Sequence, residues 1–231
     1  MIKEQNCILK GTSLCAIVRD EMMNPAGGIV DFINCIVPFV EQAIVVDTGS
    51  VDGTRQILQE SAKKYPNLNI FDRQFDDYAS SRNFSLSKVE TKRALILDAD
   101  ERIFRKELLK LKGFLKINKS KDINLFFDIL NIYADGEIKP GGNNPRMFHV
   151  KDKKYQNEGH DCWEYLFVDG SRIYDGIERH IEIIHFLPDK EGETKKRRYW
   201  YDSTGKKAIA PSQRKGFVTW KKLNPLRAKY S

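Results

Sequence analysis

The chain has 231 residues, 41% of them hydrophobic, which is enough for one substantial core and indicates a single compact domain with a tail. No run approaches the roughly 18 apolar residues of a membrane helix. Residues 1–11 lack the basic and apolar regions of a secretory signal, so we expect a cytoplasmic protein without a stable membrane span.

The net charge of +7 is unevenly distributed. Residues 190–231 carry 13 Lys/Arg against 3 Asp/Glu, whereas the preceding part is slightly acidic. We therefore divide the chain into a domain of residues 1–190 and a basic C-terminal tail of residues 191–231. Such a tail suits nucleic acid, an anionic membrane surface or a phosphate-bearing substrate, although a solvated charged surface is the more common case.

The first hundred residues alternate short apolar runs with longer mixed segments, the pattern of strands separated by helices in a parallel sheet. Strands are expected at Ser13–Val18, Gln42–Val46, Leu68–Phe71 and Ala94–Leu97, and helices at Pro25–Val37, around Ile57–Ala62 and at Tyr78–Val89. The carboxyl ends of parallel strands meet at the ligand-binding edge of such a sheet. We therefore expect Arg19, Asp47 and Asp98, which lie at strand ends, to converge on one site.

The second half has a mixed pattern with more antiparallel character. A helix is expected at Leu108–Lys116, and strands at Ile123–Ala134 and Arg146–Val150. Asp135-Gly136 is a turn signal after the first of these strands. The fold class predicted from the whole pattern is α/β.

Asp98 and Asp100 stand two residues apart at the end of a predicted strand, so both carboxylates can approach one cation. Mg²⁺ and Mn²⁺ prefer oxygen ligands and often bridge carboxylates to substrate phosphates. The alternative is a solvated acidic turn that caps the next helix. Asp-x-Asp alone does not decide between the two.

Four segments together resemble the sequence blocks of family 2 glycosyltransferases. They are Ser13–Glu21, Ile44–Thr54, Asp76–Phe84 and Leu95–Glu101, in the order and spacing of that family. The resemblance covers about residues 12–190. It implies the GT-A (nucleotide-diphospho-sugar transferase) fold, a Rossmann-like mixed sheet flanked by helices, here with a basic C-terminal extension.

The resemblance also implies how a nucleotide is bound. Val18 and Arg19 would border the base, and Asp47 would hydrogen-bond the uracil or the ribose. Arg82 would face the diphosphate, and Asp98 would contribute to the same nucleotide site. The structural alternatives are that Asp47 only caps its loop and that Arg82 only pairs with Asp76 or Asp77.

Metal binding and catalysis follow from the same resemblance. Asp98 and Asp100 would form the metal-binding Asp-x-Asp element, completed by His185 at the end of a late apolar strand. In the segment with the family's general base, Asp161 stands where the family has a glutamate. Glu164, three residues on, is the second possibility for the base.

The function implied is an inverting transfer of a hexose from a UDP-sugar, with UDP-glucose or UDP-galactose favoured and Mn²⁺ or Mg²⁺ as cofactor. The acceptor hydroxyl could belong to a glycan, a lipid-linked sugar, a protein or modified DNA, and the basic tail could close over the active site. A nucleotidyltransferase is a second class, although its glycine-rich phosphate loop is missing near the first strand. A nucleic-acid-binding protein or a DNA-modifying glycosyltransferase that uses the tail is the third.

Overall fold

The computed structural model describes residues 8–23, 28–118, 124–133, 136–142, 144–157, 164–168, 171–173 and 177–187. The strands are β1 (Leu9–Val18), β2 (Val40–Asp47), β3 (Leu68–Asp72), β4 (Arg93–Ile96), β5 (Glu101–Ile103), β6 (Leu125–Tyr133), β7 (Ile138–Pro140), β8 (Asn144–His149), β9 (Lys153–Asn157), β10 (Glu164–Val168), β11 (Ser171–Arg172) and β12 (Ile177–Leu187). The helices are α1 (Gly28–Ile36), α2 (Thr54–Lys64), α3 (Tyr78–Leu86) and α4 (Arg105–Ile117), with short 3₁₀ turns at Glu21–Met23 and Val37–Phe39.

Within these residues, nine strands form one mixed sheet in the order β3-β2-β1-β4-β8-β6-β12-β5, with β7 beside β6. The first four strands in this order pair in parallel, and β8 runs antiparallel to both of its neighbours. Strands β9, β10 and β11 form a separate small antiparallel sheet. The α/β prediction is confirmed, as is the more antiparallel second half.

Strand β1 lies in the centre of the sheet and is buried on both faces. Leu14, Ala16 and Val18 face the core shared with α1, α2 and α4, whereas Cys15 and Ile17 face the core shared with α3. Successive side chains of a strand point to opposite faces, so a strand covered on both sides is a continuous apolar run. This double burial is why the apolar run predicted the strand.

Helix α3 begins where the sequence provides a cap. Asp77 is its N-cap, and the Asp77 carboxylate accepts a hydrogen bond of 2.8 Å from the backbone N–H of Ser80. The helix ends at Leu86, three residues before the predicted end. The helix packs against β1 and β2, with Arg82 buried and in contact with Asp98 just after the end of β4.

Across the described part of the chain, we find no helix with the length and apolar character needed to cross a membrane.

Candidate active site

The carboxyl ends of β1, β2 and β4 form the edge of the sheet where the site lies. Val18 pairs with Asp47 across β1 and β2, and Cys15 pairs with Ile96 across β1 and β4, so β4 ends about three residues before the other two strands and Asp98 follows its end by two residues. Strand β1 lies between β2 and β4, so these two strands are roughly 10 Å apart across the sheet. Asp47 and Asp98 therefore lie on the same edge of the sheet, on either side of β1.

Asp47 organises the loop that follows β2. Its Oδ1 accepts hydrogen bonds from the backbone N–H groups of Gly49 (3.0 Å) and Ser50 (2.7 Å), the arrangement of an Asx turn. Its Oδ2 is buried and has no hydrogen-bond partner among the residues the structure describes. Since a buried acceptor without a partner costs free energy, this oxygen is suited to a hydrogen-bond donor from a ligand.

A cavity of about 410 Å³ adjoins Asp47. It is lined by residues that follow the ends of β1, β2 and β3: Arg19, Asp47, Thr48, Gly49, Asp72, Arg73, Gln74 and Phe75. The volume is within the range of small-molecule sites. The cavity brings Arg19 and Asp47 together, as the sequence predicted for these two strand ends.

Val18 supports this site from the core. The residue is fully buried, and its carbonyl oxygen accepts hydrogen bonds from the backbone N–H (2.9 Å) and the hydroxyl (3.0 Å) of Thr48. These bonds tie the loop after β2 to the end of β1. Arg19, the next residue, places its Nε 3.7 Å from a carboxylate oxygen of Asp20.

Asp98 lies between two arginines. Arg82 Nη2 contacts Asp98 Oδ1, and Arg146 Nη1 is 3.6 Å from Asp98 Oδ2. Burial raises the pKa of Asp98, but the two guanidinium groups outweigh it and hold that pKa below its ordinary value. Because 37% of the Asp98 side chain is exposed, an ionised carboxylate faces the open side of the sheet.

Asp100 and His185 meet beside this pair. His185 Nε2 is 3.5 Å from Asp100 Oδ1, and His185 Nδ1 is 3.0 Å from Asn131 Oδ1. When Nδ1 donates to Asn131, the lone pair of Nε2 is available toward Asp100. His185 lies on β12, which pairs with both β5 and β6. In that pairing His185 is opposite Glu101 of β5 and Asn131 of β6.

Asp100 and His185 lie near enough to each other to be considered as ligands of one divalent cation. Two adjacent ligands of an octahedral ion, each about 2.1 Å from the metal, are about 3.0 Å apart, and the observed distance of 3.5 Å is wider than this. Asp98 is a weaker ligand, since both of its oxygens face guanidinium groups. In the described ranges no three His, Cys, Asp or Glu side chains form a ready-made metal cluster, so other ligands would come from substrate or water.

The structure does not describe the side chains of the two predicted catalytic residues, Asp161 and Glu164. Asp161 and the basic tail lie outside the described residues. Glu164 is the first residue of β10, and only its backbone is described. The assignment of the general base to Asp161 or Glu164 therefore remains a prediction.

The sequence analysis did not single out Arg146 or Glu101. Arg146 lies at the start of β8, and its Nη2 contacts Glu101 Oε1. The signal for Glu101 was its place beside Asp98 in the acidic segment. Arg146 gave no local signal, because the contact joins residues 45 positions apart and depends on β8 lying next to β4.

The mixed sheet, its flanking helices and the polar groups at its carboxyl edge define an α/β protein with the GT-A fold. A model of the family described as glycosyl transferase family 2 matches residues 39–168, more than half of the chain. The chain belongs to glycosyl transferase family 2. The family suggested by its four sequence blocks is thereby confirmed.

Known proteins similar to this chain are considerably longer. The chain is 28% identical over 150 residues to a TPR repeat-containing protein of Synechococcus elongatus, an alignment that covers 64% of this chain and 34% of that protein. Among solved structures it is similar to S. aureus TarS 1-349, with a TM-score of 0.50 and 17% identity over 60% of this chain and 47% of that one. A complex of the same protein with UDP-GlcNAc gives a TM-score of 0.48 at 17% identity, covering 60% and 45% of the two chains. The chain thus spans about a third to a half of the length of these relatives.

Proposed function

We propose that this protein is a metal-dependent, inverting glycosyltransferase that moves a hexose from a UDP-sugar to an acceptor hydroxyl, with UDP-glucose and UDP-galactose as the favoured donors. Its membership of glycosyl transferase family 2 supports the reaction class. The donor sugar and the need for a cation rest on the sequence resemblance and on the chemistry of the site.

The observation that carries the proposal is the buried Oδ2 of Asp47 beside the cavity. The oxygen needs a donor, and the N3–H of uracil or a ribose hydroxyl would supply one. Arg19 and Arg73 line the same cavity and offer cationic and planar surfaces to a base. A nucleoside bound there would direct its phosphates along the sheet edge toward Asp98.

The second part of the site suits the diphosphate. Arg82 is buried beside Asp98, and its guanidinium would neutralise charge that develops on the departing UDP. Asp100 and His185 would hold the divalent cation, which would supply further neutralisation of the diphosphate oxygens. The carboxylate of Asp161 or Glu164 would take the proton from the acceptor hydroxyl as it attacks the anomeric carbon.

The test is UDP release from a panel of UDP-sugars with Mn²⁺, with Mg²⁺ and with a chelator. The wild type is compared with Asp100→Ala and with Glu60→Ala, a control that removes an exposed carboxylate paired with Lys63 on α2. We expect metal-dependent release from one or two sugars, loss of release in Asp100→Ala, and normal release in Glu60→Ala.

Other outcomes would point elsewhere. Pyrophosphate release from UTP incubated with a sugar 1-phosphate, without UDP release from any UDP-sugar, would favour the nucleotidyltransferase. Salt-dependent DNA binding with neither turnover nor UDP-sugar binding would favour the nucleic-acid-binding protein. Release that is unaffected by the chelator would refute metal dependence while leaving the transferase reaction in place.

A further inference from the structure

We infer that Arg146 is a positioning residue of the donor site and that it acts, together with Glu101, by holding Asp98 in the orientation that nucleotide binding requires. The inference rests on the proposed function, since Asp98 belongs to the proposed nucleotide site. Arg146 itself is not assigned a contact with the substrate.

Arg146 reaches the site through the topology of the sheet. Strand β8 runs antiparallel to β4, with Leu95 opposite Met147, so the beginning of β8 lies beside the carboxyl end of β4. From this position the guanidinium of Arg146 lies next to two carboxylates. Its Nη2 contacts Glu101 Oε1, and its Nη1 lies 3.6 Å from Asp98 Oδ2.

Glu101 binds the backbone of the same turn. Its Oε2 accepts a hydrogen bond of 2.9 Å from the backbone N–H of Asp98, and its own N–H donates to the carbonyl oxygen of Asp98 at 2.9 Å. Glu101 therefore fixes the main chain of Asp98 while Arg146 faces its side chain. The three residues form a closed ring of contacts, which we call the Asp98 ring.

Burial argues that the Glu101–Arg146 pair of the Asp98 ring contributes geometry rather than stability. The side chains of Glu101 and Arg146 are 1% and 10% exposed. A buried ion pair gains little stability over well-packed neutral side chains, because desolvation of both charges offsets their attraction. What the pair does provide is a planar guanidinium that spans two carboxylates, a role that a lysine cannot reproduce. The pair therefore holds the Asp98 carboxylate in one orientation.

A purely structural role predicts something different. If Arg146 only neutralised the buried charge of Glu101, removing both charges together would restore a normal site. If Arg146 positions Asp98, the site stays defective although the fold recovers. The double variant Glu101→Gln/Arg146→Gln separates these two roles, and Arg146→Lys tests the second independently because it keeps the charge beside Glu101.

The experiment measures UDP binding by calorimetry in the presence of Mn²⁺, with chemical unfolding of each variant and steady-state kinetics for the donor. Lys110→Met, which removes one partner of the buried carboxylate of Glu107 on α4, is the control away from the site. We expect Kd for UDP to rise about 10- to 100-fold in the double variant, the usual cost of losing a supporting partner. Arg146→Lys should show a smaller increase, with a higher donor KM in both variants and normal binding in Lys110→Met.

Wild-type affinity in a folded double variant, or in Arg146→Lys, would overturn the positioning role while leaving the proposed function intact. Absence of UDP binding by the wild type would overturn both. A double variant too unstable to purify would contradict our view that the pair adds little stability. In that case UDP binding by Arg146→Lys would decide whether Arg146 has a positioning role.

Discussion

Replacing Asp47 with asparagine tests the proposed nucleotide pocket with little change of shape. Oδ1 keeps the hydrogen bonds from Gly49 and Ser50 at 3.0 and 2.7 Å, so the loop after β2 stays capped. Only the buried Oδ2 changes, from an acceptor without a partner to an amide that donates. The donor group of the nucleotide would then meet another donor.

The magnitude follows from the bond that is lost. A hydrogen bond to a charged group contributes about 1.5–3 kcal/mol, which corresponds to an increase in Kd of about 10- to 150-fold. Calorimetric titration of Asp47→Asn with UDP measures it directly. The free energy of unfolding should change by less than about 1 kcal/mol, because one buried group without a partner replaces another.

Asp47→Ala is the companion variant. It removes the Oδ1 bonds as well, so we expect a loss of about 1–3 kcal/mol in unfolding free energy in addition to weaker UDP binding. Wild-type affinity in Asp47→Asn would refute the reasoning, because the Oδ2 of Asp47 would then have no part in binding the nucleotide.

Three further predictions concern the rest of the structure. Asn83→Ala should lower the urea-unfolding free energy by about 1–3 kcal/mol, since its side chain bonds both backbone groups of Tyr155 at 2.7 and 2.8 Å. Burial raises the pKa of the Cys15 thiol to about 12, so mass spectrometry should find Cys15 unmodified by iodoacetamide at neutral pH in the folded protein and modified after unfolding. Because the pKa of Asp98 is lowered, its ionised carboxylate contributes stability above the ordinary value of 3.8, and that stability is lost as the pH falls through the lowered pKa. Asp98→Asn should therefore show a smaller loss of unfolding free energy on acidification. Urea titrations at a series of pH values measure this difference.

The elements that local chemistry specifies were predicted from the sequence. The apolar runs in β1, β2 and β4 are buried on both faces, which makes them visible without knowledge of their neighbours. The Asp98-Ala-Asp100-Glu101 segment became a candidate site through its resemblance to the family's sequence blocks, since carboxylates at a strand end did not by themselves exclude a solvated turn. Strand β5, which begins at Glu101, was not predicted, since three residues carry no periodic signal and, among the described residues, they pair with the distant β12.

Contacts between strands that are distant in sequence were not predicted. The parallel pairing of β6 with β12 places Asn131 opposite His185, a partnership across 54 residues that fixes the orientation of the imidazole. The predicted alternative for Arg82, a pair with Asp76 or Asp77, relied on closeness in sequence. In the structure its guanidinium reaches Asp98, because α3 packs over the sheet edge.

The electrostatics of Asp98 also bear on how the pH dependence of the reaction should be interpreted. With Arg82 and Arg146 holding its pKa below the ordinary carboxyl range, Asp98 does not change its charge near neutrality. Asp100 and His185 are the proposed ligands of the cation, with His185 Nε2 3.5 Å from Asp100 Oδ1, and metal affinity at such a site falls when protons compete for the ligands. Activity lost on mild acidification and recovered by added Mn²⁺ would thus report competition between protons and the cation at the proposed metal site, whereas a loss that excess Mn²⁺ does not reverse would point to the proposed general base.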